Sequence, residues 1–165
     1  MNLYASRGGQ YPLLQQFAAS FSNWVYDSVS GAAVTLGSTP ALSTDPTQLN
    51  LQGATANTIV FDCVPLPTGA VVESAELIVD TAYVGPTSAT VAIGDVTNAS
   101  AYLAATSLLA VARTAFTIGT GLLENVSGNN IRMTLTYAGG NATAGHFRVR
   151  VMYTIDGRQH EVQIT

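Results

Sequence analysis

The sequence predicts an all-β protein: an antiparallel β-sandwich of jelly-roll type, with an extended N-terminal arm and a long inserted loop. Three observations carry that expectation. First, two stretches near the end alternate apolar and polar residues with period two. Ile131, Met133, Leu135 and Tyr137 alternate with Arg132, Thr134 and Thr136, and Phe147, Val149, Val151, Tyr153 and Ile155 alternate with His146, Arg148, Arg150, Met152 and Thr154. Successive strand side chains point to opposite faces, so each stretch reads as a strand with one dry and one wet face. Second, further strand-like runs follow at short intervals marked by Gly and Pro, with little helical periodicity, as in a sandwich or barrel. Third, the chain of 165 residues is 47% hydrophobic, enough for a real core, at a length that suits one domain.

The elements follow in chain order. Residues 1–16 read as an arm and 17–165 as a single sandwich domain. The stretch 17–26 fits a strand: Phe17, Ala19 and Phe21 alternate, and Trp24, Val25 and Tyr26 favour strands, although Leu13, Phe17, Phe21 and Trp24 also recur at helical spacing. Residues 32–57 are dense in Gly, Pro, Ser, Thr, Asn and Gln, and read as a long loop that gains order by lying on something else. Strands are expected at 58–64, 71–80, 88–94 and 114–118. Pro65, Pro67 and Gly69 form a rigid turn into the second of these. Residues 99–112, rich in Ala and Leu, could hold a short helix. The strands at 131–137 and 147–155, joined through Gly139, Gly140 and Gly145, read as an antiparallel hairpin with a loose tip.

Composition excludes several functions. Only 10% of residues are charged, where an ordinary domain carries roughly 25%. There are six arginines, no lysine and a net charge of -4, which makes a poor partner for phosphate backbones, so no nucleic acid is expected. No apolar run is long enough for a membrane helix, and the first residues lack the pattern of a signal peptide. The lone Cys63 cannot form an intrachain disulfide, in keeping with synthesis in a reducing cytoplasm.

The search for chemistry returns little. His146, His160 and Cys63 are too few and too dispersed for a metal site, and no cofactor motif occurs. Cys63 shares a strand face with Ile59 and Phe61 and reads as a core thiol. Glu73 and Glu76 are expected on opposite faces of their strand, and Asp62 and Asp80 could approach across strands, but neither pair makes a convincing acid–base couple. No nucleophile–base–orienter arrangement is found, so the chain is not expected to be an enzyme. One constellation stands out. Arg132, Arg148 and Arg150 fall on the wet face of the expected hairpin, where they could meet carboxylates of a protein partner or simply pair with local acids.

From Asn57 onward the chain carries a series of motifs that begins with Leu66-Pro67-Thr68-Gly69-Ala70-Val71-Val72 and Glu76-Leu77-Ile78-Val79-Asp80. The series continues through Val91-Ala92-Ile93-Gly94-Asp95, Ala101-Tyr102-Leu103-Ala104-Ala105-Thr106 and Ala112-Arg113-Thr114-Ala115. It ends with Val151-Met152-Tyr153-Thr154-Ile155-Asp156-Gly157-Arg158. In order and spacing this series bears a resemblance to the head decoration, or capsid cement, proteins of tailed bacteriophages, a jelly-roll type. It implies a sandwich seated on the outer surface of an icosahedral capsid, made in the host bacterial cytoplasm and bridging neighbouring major capsid protein subunits. It also implies self-association, as trimers or dimers, with the trimer preferred. It implies no catalytic residues. On this reading Tyr4, Arg7 and Tyr11 are the arm's contact residues, and Arg132, Arg148 and Arg150 a secondary contact. The rival reading is a head-fibre or adhesin-like module touching host glycans, for which Trp24, Tyr4 and Tyr11 would be the aromatic platforms.

Overall fold

The structure is a computed structural model that describes residues 12–29, 31–37, 57–118 and 129–155. Every regular element among them is a strand: β1 (Leu13–Ser20), β2 (Trp24–Asp27), β3 (Ala32–Thr35), β4 (Asn57–Val64), β5 (Ala70–Val84), β6 (Ser88–Gly94), β7 (Leu103–Ser107), β8 (Ala112–Ala115), β9 (Ile131–Ala138) and β10 (Ala144–Ile155). One sheet has the order β1-β10-β5-β8, the other β4-β9-β6-β7, and β2 and β3 form a separate ribbon. All pairings are antiparallel. Setting the ribbon aside, eight strands in two four-stranded sheets make a jelly roll, the expected fold.

The core lies between the sheets. Ile59, Phe61, Leu77, Val79, Val91, Ile93, Met133, Leu135, Phe147 and Val149 are buried on alternating positions of their strands. An aromatic chain ties the two sheets together. Phe17 of β1 lies 5.6 Å from Phe61 of β4 and 6.2 Å from Phe147 of β10. Tyr83 of β5 then lies 6.3 Å from Phe147 and 5.9 Å from Tyr137 of β9. Tilted and offset contacts of this kind add about 0.5–1.5 kcal/mol each beyond the area they bury.

The turn before β5 is as the sequence indicates. Ala70 donates from its backbone N–H to the Pro67 carbonyl, and Gly69 has φ 80°, the value a type II turn needs at that position.

Several expectations are corrected. β9 and β10 do not form a hairpin: β9 sits between β4 and β6, and β10 between β1 and β5 in the other sheet. A strand with one dry face satisfies its alternation equally by pairing beside its neighbour or by facing it across a core, so periodicity alone could not separate the two. The connection between them is held from outside, with the Ala142 N–H on the Gly37 carbonyl at 2.6 Å and the Thr143 N–H on the Val84 carbonyl at 2.8 Å. The stretch 99–112, which could have held a short helix, is instead a turn followed by β7 and the start of β8. Asp95 takes the backbone N–H groups of Thr97 and Asn98, which closes the chain on itself, and β7 then pairs with β6. The expected strand at 114–118 begins and ends earlier, as β8.

The stretch 17–26 splits into β1 and β2. The Asn23 side-chain oxygen accepts the Ser20 N–H at 2.7 Å, and the Asn23 N–H returns to the Ser20 carbonyl, making a tight turn. The proposed arm, 1–16, is strand from Leu13 onward, because Leu13–Gln16 pair with Tyr153–Arg150 of β10. The proposed insertion, 32–57, opens with β3 and closes on the first residue of β4. Residues 1–11 of the first segment and 38–56 of the second lie outside the described residues.

Candidate interaction surfaces

The outer face of the β1-β10-β5-β8 sheet carries most of the described charge. Its register brings Arg148 opposite Ile78, Arg150 opposite Glu76 and Met152 opposite Ser74. One extra residue in β5, where Met152–Tyr153 face Ser74–Val72, makes a bulge. The bulge overturns the expectation that Glu73 and Glu76 point to opposite faces. Both lie on the outer side, Glu73 accepting the Thr154 hydroxyl and Glu76 meeting two arginines. Arg113 of β8 engages Glu76 with both Nε and Nη2, and Arg150 approaches the same carboxylate at 3.6 Å.

Asp80 sits at a second register shift, its carboxylate outward in alternation with buried Leu77 and Val79 and beside Arg148 and His146. Arg148 grips it bidentately at 2.8 and 2.6 Å, and His146 Nδ1 lies at 3.0 Å. The Arg148 guanidinium, helped by His146, holds the Asp80 carboxyl below the usual carboxylate range.

Arg132 stands apart from these. It belongs to β9 in the opposite sheet, where it donates to Asp62 at 2.9 Å. Burial works to raise the Asp62 carboxyl, but hydrogen bonds from Asn130 and Arg132 outweigh it and bring the group below its ordinary value. The expected single face of Arg132, Arg148 and Arg150 is therefore divided between the two sides of the sandwich, a direct result of β9 and β10 lying in different sheets. Asp62 and Asp80 are separated in the same way. Each described arginine meets an acid on a neighbouring strand, Arg113 among them, which the sequence reading did not single out. Its pairing depends on the β5–β8 register, which no local pattern announces. Tyr4, Arg7 and Tyr11 lie outside the described residues.

The β2–β3 ribbon offers a different surface. Trp24 faces Thr35 and Tyr26 faces Ala33 across the pair. Trp24 is 71% exposed and Tyr26 63%, side by side on the outer face, while Val25 and Val34 pack inward. The ribbon is pinned to β4. Buried Asp27 accepts the Val60 N–H at 2.7 Å, and Ser28 donates to the Val60 carbonyl from its N–H at 2.7 Å and its hydroxyl at 2.9 Å. The turn beyond β3 seats Leu36 fully in the core, its carbonyl accepting the Tyr137 hydroxyl. These anchors were missed in the sequence, where Asp27 and Leu36 sit among turn-forming residues.

Cys63 is buried, as expected. It is the extra residue of a bulge between β4 and β9, donates to the Ile131 carbonyl at 3.3 Å, and has its thiol pushed up to about 12 by burial. A thiol so held is not a nucleophile near neutral pH. No group of three or more potential metal ligands comes together among the described residues.

Two solved chains share this fold. One, from a cyanophage Pam1 capsid asymmetric unit, matches with a TM-score of 0.50 and 22% identity over 94% of each chain. The other, from an acidic stable capsid structure of Helicobacter pylori bacteriophage KHP30, matches with a TM-score of 0.52 and 16% identity over 87% of each chain. At these identities the likeness is one of fold. No protein-family model and no curated protein matches the chain.

Proposed function

We propose that this chain is a structural virion protein that decorates a phage capsid and cements it by bridging neighbouring major capsid protein subunits. The observation that carries the reading is the end-to-end likeness to chains from two phage capsids. The fold is shared over nearly the whole of each chain. The sequence resemblance to head decoration proteins points the same way. On this reading the protein sits on the outer surface of the shell and has no catalytic role. Copies associate with one another, as trimers rather than dimers. Tyr4, Arg7 and Tyr11 are proposed contacts at the N-terminal end, and Arg132, Arg148 and Arg150 proposed contacts on the sandwich. Each copy gains avidity by touching more than one subunit.

The test compares heads assembled with and without the protein. Heads lacking it are expected to release DNA at a lower temperature and to regain stability when the purified protein is added back. Identical release profiles would overturn the cement role.

A second reading is favoured by the exposed Trp24 and Tyr26 face: a head-fibre or adhesin-like module that stacks host sugars on aromatic rings. It predicts glycan-array binding that Trp24→Ala abolishes, and a location confined to vertices. Binding to no glycan, with copies spread over the whole shell, would exclude it.

A further inference from the structure

A shallow depression of about 270 Å³ opens on the outer face of the β1-β10-β5-β8 sheet. Its lining includes Leu14, Glu76, Arg113, Ala115, Arg150 and Met152. The charges there do not balance: two guanidiniums share one carboxylate, which leaves one positive charge over in a chain whose net charge is -4. Arg113 is firmly held by Glu76, whereas Arg150 reaches it only at 3.6 Å, and Arg150 Nε is buried with no hydrogen-bond partner. A guanidinium has five N–H donors in a fork that matches a carboxylate, so most of the donor capacity here is unspent. Glu73, the other acid on this part of β5, is occupied by Thr154. The rim is apolar and open to solvent, with Leu14 53% and Met152 38% exposed.

We propose that this depression is a docking site for a protein partner that presents an Asp or Glu carboxylate beside an aliphatic side chain. The carboxylate completes the half-satisfied Arg150 and takes further hydrogen bonds from Arg113. The neighbouring aliphatic group covers Leu14 and Met152. The apolar rim argues against a sugar or a free phosphate, whose surfaces would leave those side chains uncovered. Arg148 does not line this depression, and Asp80 fills its fork. The site does not depend on the capsid reading, since any protein with such a segment would serve.

The probe is a blocked tripeptide with glutamate between two leucines, followed by NMR of the arginine Nε–H and methionine methyl signals. Saturable shifts at Arg150, Arg113 and Met152 are expected. Replacing the glutamate by glutamine, or introducing Arg150→Met, should weaken binding about tenfold or more, the loss expected when a charged hydrogen bond is removed. Thr134→Val, on β9 of the other sheet, should leave binding intact, and an otherwise unchanged spectrum shows that each variant is folded. No shift with the glutamate peptide, an equal response to the glutamine peptide, or the same shifts with inorganic phosphate at equal concentration would each overturn the proposal. So would a loss with Thr134→Val equal to that with Arg150→Met.

Discussion

Asp80 shows how one strand position sets local chemistry. It follows buried Leu77 and Val79 in alternation, which puts its carboxylate on the outer face. There it accepts two bonds from Arg148 and one contact from His146. Its carboxyl is held below the ordinary value, so the folded state binds the proton less readily than the unfolded chain. The stability that follows is fully present above the unfolded value of about 4 and is lost as pH falls through the lower folded value. Asp80→Asn removes this dependence. Urea midpoints at neutral pH and in mild acid should show the variant losing less stability between the two than the parent. An identical loss in both would refute the assignment.

The β2–β3 ribbon depends on its anchors rather than on its own pairing. Two strands of four residues are marginal alone in water. Asp27 and Ser28 tie the ribbon to Val60, and in doing so cover part of the β4 edge, which would otherwise expose unpaired backbone groups. Asp27→Ala leaves the Val60 N–H without its partner and is expected to cost about 1–3 kcal/mol. Hydrogen exchange should rise most in β2 and β3, with β9 and β10 protected as before; a uniform rise would show that the anchor is not local. How legible such elements were in the sequence follows from the same physics. β4, β6, β9 and β10 carry unbroken or nearly unbroken alternation and could be read directly. Which strand lies beside which could not, because Phe147 and Met133 satisfy the same dry-face rule in either arrangement. That gap explains the outcome for the arginines. Each was correctly read as outward-facing, but whether Arg132 joins Arg148 depends on sheet membership. Arg113 and the depression it helps form depend on β5–β8 register, which lies further still from local sequence.

At the scale of the whole molecule, the two sheets are closed by strands far apart in the chain. β10 pairs with β1 on one side and β5 on the other, so the strand made last among those described is interior to its sheet. The ribosome delivers the chain from the N-terminus, and β1 has no partner until residues 144–155 emerge. Until then Phe17 and Tyr83 lack Phe147, the ring that both contact. Pairing so remote in sequence is slow: closure of such sheets takes milliseconds to seconds, where helical bundles take microseconds to milliseconds. Refolding from urea should therefore fall in the slow range, and nascent chains stopped before Ala144 should be cut readily by protease while the complete chain resists. Assembly inherits this order of events: surfaces on the β1-β10-β5-β8 sheet, the Arg150 depression among them, come into being only after synthesis has passed β10, so a partner cannot capture a half-made copy through them.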